Sequence, residues 1–213
     1  MKRHLLVWLS ILTLLFAGVG ANQAYAAETL KYGSRGGDVW DAQYRLKVLG
    51  FYNDPLDGIY GPTTMQAVRS FQTHYGLTAD GIIGQKTWNA LKKYSLNIYE
   101  VDILAKIIYS EARGEPYAGQ VAVGAVVMNR LKSPQFPDTI QEVVFEPRAF
   151  TAVDDGQYWL KPDSTAYRAA FDAIRGWDPS GGALYYYNPK TSTNNWIRSR
   201  TPIQRIGNHV FAI

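Results

Sequence analysis

One carboxylate of this sequence stands where the buried face of a helix should continue. The segment IIYSEARGEPYAGQVAVGAVVMNR, residues 107–130, consists mainly of apolar, small and helix-forming residues. Val101, Leu104 and Ile108 recur at helical spacing, and the next position of that face is Glu111. Burial and a helix C-terminus both disfavour a negative charge, so we expect a raised pKa for Glu111. A carboxyl group that keeps its proton near neutral pH can act as the general acid on a glycosidic oxygen.

Two helices must position this residue. Asn97 followed three residues later by Glu100 predicts a capped helix start, and Gly114 with Pro116 predicts its end. The next helix, PYAGQVAVGAVVMNRLK, is small or apolar on nearly every side and should be buried, and four of its residues would let neighbouring helices approach closely: Gly119, Ala122, Gly124 and Ala125. Glu111 would then lie in the last turn of a core-facing helix. The structural alternative is a buried ion pair of Glu111 with Arg113 or Arg148.

Further candidate residues come from two aromatic segments of the C-terminal half. RAFTAV predicts a loop whose aromatic ring and hydroxyl could hold a sugar, although the Phe could instead pack inward. ALYYYNP predicts an extended segment in which alternate tyrosines face opposite sides, with groove lining and core packing both open to them. The candidate substrate-binding residues are Phe150, Thr151, Tyr186, Tyr187 and Asn188.

Other carboxylates could serve as a second catalytic group. Glycoside hydrolases usually employ a pair, and Asp154 and Asp155 are possible partners of Glu111. We favour a solvated turn for both, because they directly precede Gly156. Glu115 follows the helix-ending Gly114, and we interpret it as a structural loop residue.

The composition excludes several classes of site. The chain of 213 residues has no cysteine, which excludes thiolate zinc sites and cysteine nucleophiles, and its three histidines are too scattered to form a metal set. We find no Gly-x-Ser-x-Gly, His-Glu-x-x-His or phosphate-loop motif, and we expect no cofactor and no metal. No cluster of Lys and Arg indicates nucleic-acid binding.

The N-terminus has the pattern of a secretory signal. A cationic start precedes an apolar run at residues 5–20, which is shorter than the roughly 20 residues of a membrane span. The residues Ala24 and Ala26 predict cleavage between Ala26 and Ala27, with an uncleaved anchor as the alternative. Loss of Lys2 and Arg3 lowers the formal net charge from +4 to +2. We therefore expect export, and no transmembrane span in the mature chain.

Residues 30–94 contain an internal repeat. DGIYGPTTMQAV begins at Asp57 and DGIIGQKTWNAL begins at Asp80, and the two segments agree at six positions. Asp-Gly predicts a turn, Pro62 suits the first turn of a helix, and an earlier apolar pattern predicts a helix that ends at Gly50. The sum is a compact three-helix module. It resembles the peptidoglycan-binding domain of many wall hydrolases, whose opening pattern is matched here by Gly37, Trp40, Gln43 and Leu46.

Residues 100–213 resemble the catalytic domain of spore cortex-lytic enzymes of the SleB and CwlJ type. The resemblance rests on three long segments in the same order, SEARGEPYAGQVAVGAVVMNR, FPDTIQEVVFEPRAFTAVDDGQ and GWDPSGGALYYYNP. The arrangement of a signal segment followed by a wall-binding module resembles that of SleB-type enzymes, and CwlJ-type enzymes lack both parts. The resemblance implies that Glu111 is the catalytic acid, and that the substrate is spore-cortex peptidoglycan cleaved during germination. It also implies location in the cortex and inner spore membrane region, and a YpeB-type membrane-associated partner.

The expected architecture is α+β. A small three-helix peptidoglycan-binding domain at 30–94 is followed, after a short join, by a mainly helical catalytic domain at 100–213, for which the resemblance implies a lysozyme-like fold. The single prominent acid and the resemblance favour a lytic transglycosylase, in which the muramoyl 6-hydroxyl attacks its own sugar. The alternatives are a hydrolytic muramidase or glucosaminidase, and a non-catalytic wall-binding protein.

Overall fold

The computed structural model describes residues 28–213, so the proposed signal segment lies outside the described residues. The N-terminal region contains three helices, α1 (Gly37–Val48), α2 (Pro62–His74) and α3 (Gln85–Tyr94). The α1 helix ends just before Gly50, whose φ of 86° reverses the chain. Two single β-bridges, Leu30 to Ile83 and Arg35 to Ile59, tie the connecting loops together. The three-helix module expected from the sequence is confirmed.

The first copy of the internal repeat is held together by one buried glutamine on α1. The Gln43 amide nitrogen donates to Asp57 Oδ1 at 2.8 Å and to Thr64 Oγ1 at 3.0 Å. Its amide oxygen accepts the Gly58 N–H at 3.0 Å. A further acceptor, the Ile59 carbonyl, lies 3.1 Å from the same nitrogen. The Asp-Gly turn is thus closed by the side chain of a neighbouring helix.

The second copy repeats the arrangement with Gln72 on α2. Its amide nitrogen donates to Asp80 Oδ1 at 2.8 Å and to Thr87 Oγ1 at 3.1 Å, and its oxygen accepts from Gly81 N at 2.9 Å. The nitrogen also reaches the Ile82 carbonyl at 2.9 Å. The residues shared by the two sequence repeats therefore perform the same structural task twice.

The C-terminal region adds the remaining elements of the described chain. Its helices are α4 (Ile98–Ala112), α5 (Tyr117–Lys132), α6 (Ile140–Phe145), α7 (Thr151–Asp154), α8 (Ser164–Ile174) and α9 (Asn195–Arg198), and a 3-10 turn covers Gln157–Trp159. Three short strands, β1 (Tyr185–Tyr187), β2 (Pro202–Ile206) and β3 (His209–Ala212), complete the region. The α+β, mainly helical class is confirmed. Within residues 28–213, no helix combines the length and apolar character needed to cross a membrane.

Helices α4, α5 and α8 pack against one another and form the centre of the C-terminal core. The α4 helix begins with the predicted capping box, because Asn97 accepts from the backbone of Glu100 and Glu100 accepts from the backbone of Asn97. Eleven of the sixteen residues of α5 are buried, as expected for this helix. A Cβ added at Gly124 would lie 2.8 Å from Ile108 Cδ1 and 3.1 Å from Ala173 Cβ, so the close approach expected at Gly124 is confirmed.

The sheet is antiparallel, with the strand order β1-β3-β2. Tyr186 is opposite Phe211 in the register of β1 and β3. His209 lies two residues before Phe211 and on the same face of β3, which brings its ring beside Tyr186. Neither β2 nor β3 was predicted from the sequence.

The two regions contact each other directly. Val48, at the end of α1, is buried in the C-terminal core rather than in the core of its own region. Arg175, just after α8, donates to the Val48 carbonyl at 2.7 Å and to the Lys47 carbonyl at 3.3 Å. Arg45 of α1 donates to the Ser95 carbonyl at 3.2 Å. The bond from Arg175 gives the Val48 carbonyl a partner at the C-terminal end of α1, where helix carbonyls lack partners within the helix.

Candidate active site

Glu111 lies in the last turn of α4 and opens onto a groove of about 940 Å³. The groove is lined by the loop that joins α6 to α7, and by β1 with the segment that follows it. His209 of β3 also lines it, and we refer to this buried residue as the floor of the groove. The apolar face of α4 therefore ends at the groove, with Glu111 as its final position.

The surroundings of Glu111 favour its protonated form. Burial raises the pKa of this carboxyl group, and the nearby charge of Asp155 raises it further. A hydrogen bond from the Ala152 N–H to Oε1, 2.7 Å long, opposes the shift by stabilising the carboxylate. The net direction is upward. Since Oε1 accepts from the backbone, Oε2 remains to carry the proton.

The alternative of a buried ion pair is wrong. The guanidinium of Arg113 donates instead to Gln157 Oε1 at 2.7 Å and to the Ser110 carbonyl. Arg148 is exposed at the rim of the groove. No ion pair in residues 28–213 involves Glu111.

Tyr186 is the aromatic neighbour of Glu111. Burial and the adjacent Glu111 charge raise the pKa of the Tyr186 phenol well above its ordinary value. The hydroxyl lies close enough to Glu111 to lower the pKa of that carboxyl group, although it forms no hydrogen bond of standard geometry. It is one of three buried side-chain polar atoms in residues 28–213 that have no partner. The other two are Nε of Arg200 and Nδ1 of His209.

The candidate substrate-binding residues divide into two groups. The structure brings four of them to the lining of the groove, namely Thr151, Tyr186, Tyr187 and Asn188. Phe150 is only 2 % exposed and is absent from that lining. Its ring packs against Arg130 and Tyr186, with the guanidinium 5.0 Å from the ring centroid. The position of Phe150 therefore contradicts direct sugar contact, because its ring fills the core behind the groove wall.

The second carboxylates are exposed. Asp154 and Asp155 both precede Gly156, whose φ of 82° makes the expected turn. Asp155 lines the groove, while Asp154 does not. Both oxygens of Asp155 accept from Gln157, at 3.0 Å from the backbone and 2.7 Å from the side chain. Glu146 is a further exposed acid on the opposite loop.

Comparisons with known proteins match both regions of the chain. The peptidoglycan binding domain family matches residues 35–91, and the cell wall hydrolase family matches residues 114–212. A spore cortex-lytic enzyme of Oceanobacillus iheyensis is 40 % identical, over 97 % of this chain and 96 % of that protein. The corresponding enzyme of Bacillus subtilis is 34 % identical over the same shares. This chain belongs to the spore cortex-lytic enzyme family.

Solved structures match the catalytic half of this family member. The chain is similar to the catalytic domain of the germination-specific lytic transglycosylase SleB from Bacillus anthracis, with 53 % identity and a TM-score of 0.53. That match covers 55 % of this chain and 97 % of the solved one. The catalytic domain of Bacillus cereus SleB is 55 % identical with a TM-score of 0.51, over 54 % of this chain and 89 % of that one.

Three residues of the site were missed by the sequence analysis. His209 lines the groove, and its ring lies 5.1 Å from that of Tyr186. Burial lowers the pKa of His209, against the opposing influence of Glu115. Trp196 is 53 % exposed in the groove, with its ring edge-on to Tyr185 at 5.3 Å. The third is Arg130, which donates through Nε to the carbonyl just before β1 at 2.8 Å.

Glu115 has the structural role expected for it. Its carboxylate accepts from the Asn208 backbone at 2.9 Å and from the Asn208 side chain at 3.1 Å. Burial alone would raise the pKa of Glu115, but these two hydrogen bonds lower it. The contact fixes the turn between β2 and β3 against the junction of α4 and α5. It thereby holds His209, the next residue of the chain, at the floor of the groove.

Proposed function

We propose that this chain is an exported lytic transglycosylase that cleaves the glycan backbone of spore-cortex peptidoglycan during germination. The relatives are described as spore cortex-lytic enzymes, and one solved neighbour as a germination-specific lytic transglycosylase. The observation that carries the proposal is the carboxyl group of Glu111, whose pKa is raised and which opens onto a groove of about 940 Å³. A proton donor in an open groove suits cleavage of a glycan strand.

The first step is protonation of the leaving oxygen. Glu111 transfers the proton on Oε2 to the glycosidic oxygen as the bond from that oxygen to the anomeric carbon breaks. Positive charge develops at the anomeric carbon, and the new Glu111 carboxylate faces it. The Ala152 N–H stabilises this carboxylate through Oε1, so the same hydrogen bond that moderates the pKa in the resting state also supports the charge formed on reaction.

The second step regenerates the acid. The 6-hydroxyl of the same muramoyl sugar attacks the anomeric carbon, and Glu111 accepts the hydroxyl proton. The product is a 1,6-anhydro ring, and the enzyme regains its starting protonation state. The attack is intramolecular, which gives it a large effective concentration and removes the need for a positioned water.

Hydrolysis is the second candidate, because Asp155 also lines the groove. A water activated by Asp155 would give reducing ends. Both Asp155 oxygens already accept hydrogen bonds from Gln157, so a catalytic water would have to compete with Gln157 for this carboxylate. Asp155→Asn separates the two mechanisms. It should retain most activity in a transglycosylase and abolish activity in a two-carboxylate hydrolase.

The decisive experiment is mass spectrometry of purified cortex digested with the mature chain. Transglycosylation should give fragments that are one water lighter than hydrolytic fragments and that resist borohydride reduction. Fragments that are all reducible would show that the reaction is hydrolysis, even if Glu111 proves essential. A folded mature chain that releases no fragments would leave the wall-binding alternative.

We propose direct substrate contacts for Thr151, Tyr186, Tyr187 and Asn188. A hydroxyl, two rings and an amide around one acid are suited to a sugar with polar edges and apolar faces. We do not propose a sugar contact for Phe150. Its buried ring packs against Tyr186 and supports that side chain from the core side. Alanine substitution of Thr151 or Tyr187 should then raise the KM for soluble glycans without altering the unfolding midpoint.

We propose residues 30–94 as the wall-binding domain, 100–213 as the catalytic domain and 1–26 as a cleaved export signal. Removal of residues 27–94 should impair lysis of insoluble cortex more than cleavage of short soluble glycans, because wall binding raises the local enzyme concentration. Equal losses on both substrates would indicate a folding role instead. N-terminal sequencing of the secreted chain tests cleavage after Ala26, and co-purification from spores tests a YpeB-type partner.

A further inference from the structure

Arg148 has a backbone conformation that is unusual for its residue type. Its φ is 66°, and it is the one non-glycine residue of the described chain with a positive φ. An L-residue in this region pays a steric cost that glycine avoids, and such strain concentrates at sites where a side chain has a task. The position therefore requires a reason for carrying an arginine instead of a glycine.

The surrounding loop holds this conformation in place. The Ala149 N–H donates to the Glu146 carbonyl at 3.0 Å, which closes a turn around Arg148. Two residues further on, the buried ring of Phe150 anchors the loop to the core. The Ala152 N–H then binds Glu111. Arg148 is therefore part of the same short segment that supports the catalytic acid, and it lines the same groove.

The guanidinium of Arg148 is unengaged. Within residues 28–213 it has no hydrogen bond, ion pair or aromatic contact, whereas each of the other arginines near the groove has at least one such contact. Arg113 binds Gln157, Arg130 binds a backbone carbonyl, and Arg200 lies 4.4 Å from the centre of the Trp196 ring. Arg148 is thus a free cation at the edge of a substrate groove.

We propose that Arg148 binds a carboxylate of the peptidoglycan substrate. The inference rests on the proposed function and adds a specificity determinant to it. The negative charges of the polymer are on its muramic acid units, because their lactyl groups carry either a free carboxylate or a stem peptide with carboxylates of its own. A guanidinium matches a carboxylate with two parallel hydrogen bonds. Engagement of Arg148 would fix which sugar of the strand lies at Glu111.

The test measures binding, and so it does not depend on the reaction. Glu111→Gln and Glu111→Gln with Arg148→Gln are titrated calorimetrically, as full mature chains, with soluble glycan strands of three kinds. The first kind carries stem peptides, the second has lost its peptides to an amidase and keeps the lactyl carboxylates, and the third has all carboxylates converted to methylamides. Arg205→Gln in the same Glu111→Gln background is the matched control, since Arg205 is exposed and lies outside the groove lining.

We expect Arg148→Gln to weaken binding of peptide-bearing strands about tenfold, as for loss of a charge-assisted hydrogen bond. The methylamidated strands should bind both proteins equally. A loss confined to the amidase-treated strands assigns the lactyl carboxylate, a loss confined to the peptide-bearing strands assigns the stem peptide, and a loss on both shows that Arg148 accepts either carboxylate. An effect no larger than that of Arg205→Gln, or an equal effect on the methylamidated strands, overturns the proposal.

Arg148→Gly separates the side chain from the backbone. Glycine adopts a φ of 66° without strain, so this variant should unfold at the same temperature as the parent or a higher one. Its affinity for carboxylated strands should fall as much as that of Arg148→Gln. Full affinity in the glycine variant would show that the loop conformation alone matters and would overturn the proposal. Activity of Glu111→Gln itself would contradict the catalytic assignment, and leaves these binding outcomes intact.

Discussion

The two halves of this molecule treat their buried polar groups in opposite ways. In the N-terminal domain, the side-chain amides of Gln43 and Gln72 each make at least four hydrogen bonds. Corresponding bonds in the two networks differ in length by at most 0.2 Å. In the catalytic half, the hydroxyl of Tyr186 and the Nδ1 atom of His209 are buried without partners, both at the groove. Full pairing marks residues that specify a fold. Buried polar atoms that lack a partner beside a cavity indicate residues that can form hydrogen bonds with a ligand.

The comparison predicts its largest effect at Glu111. Glu111→Gln removes the proton donor and keeps the shape and the Ala152 hydrogen bond, so activity on cortex should fall by about 10²–10⁴-fold with the fold retained. The measurement is turbidity loss of purified cortex, with circular dichroism as the check on folding. A folded variant that keeps more than about a tenth of the activity would falsify the assignment.

The same variant should show a pH-dependent gain in stability. Because burial raises the pKa of Glu111, the folded state binds this proton more tightly than the unfolded state. The favourable contribution is fully present below the ordinary pKa of 4.5 and is lost as the pH rises towards the folded value. Glu111→Gln should therefore gain stability over the parent as the pH rises through that window. Urea titrations at several pH values measure this difference, and a constant difference would contradict it.

Substitutions in the glutamine networks should lower the stability of the protein and leave its activity unchanged. Gln43→Met leaves the buried Gly58 N–H without its partner and removes the hydrogen bonds from Gln43 to three side chains, so it should destabilise the N-terminal domain by about 3 kcal/mol. Gln72→Met should lose a similar amount, because its network is equivalent. Urea unfolding of each variant provides the values, and the rate on short soluble glycans should stay unchanged. Strongly unequal losses of unfolding free energy would mean that the two repeats, although similar in sequence, contribute differently to stability.

Tyr186→Phe should affect activity and stability in the reverse way to the glutamine variants. Removing a buried hydroxyl that has no partner should leave the stability unchanged or raise it by about 1 kcal/mol. Activity should nevertheless fall about tenfold if the hydroxyl contacts substrate or Glu111 during reaction. Thermal unfolding and initial rates are measured on the same preparation. Tyr52→Phe is a control from the N-terminal domain, where the hydroxyl is paired with the Pro55 carbonyl, and it should lose stability but not activity.

The smallest effect is expected at the contact between the two halves. Arg175→Met removes two hydrogen bonds to the carbonyls at the end of α1 and should cost about 0.5–1 kcal/mol. Faster proteolysis within residues 95–99 reports the loosening. Arg168→Met is the matched control, because Arg168 lies on α8, seven residues before Arg175, and contacts Tyr117 instead of α1. Equal proteolysis of both variants would show that Arg175 contributes nothing to the contact.

Local patterns explain what could be predicted from the sequence. The capped start of α4, the burial of α5 and the position of Glu111 all follow from helical spacing, which depends on near neighbours in the chain. The Asp-Gly turns were recognised from the repeat. The role of Gln43 was not, because its partners lie up to 21 residues away and its motif describes only its own helix.

The unpredicted features depend on distant contacts. His209 enters the site only because β3 pairs with β1, and neither β3 nor β2 has enough alternating apolar residues to stand out. Phe150 turns inward because Arg130 and Tyr186, from two other elements, form its pocket. The positive φ of Arg148 is imposed by a turn and a buried anchor on either side, and nothing in the residue type indicates it.

The docking of α1 against the end of α8 has a geometric consequence for wall degradation. With Val48 buried in the catalytic core and Arg175 bonded across the boundary, the N-terminal domain is docked directly on the catalytic region. If residues 30–94 hold the wall as proposed, a molecule anchored to one strand would reach only the bonds near its anchor. We then expect cuts at a characteristic spacing, with release and rebinding needed to dissolve the whole layer.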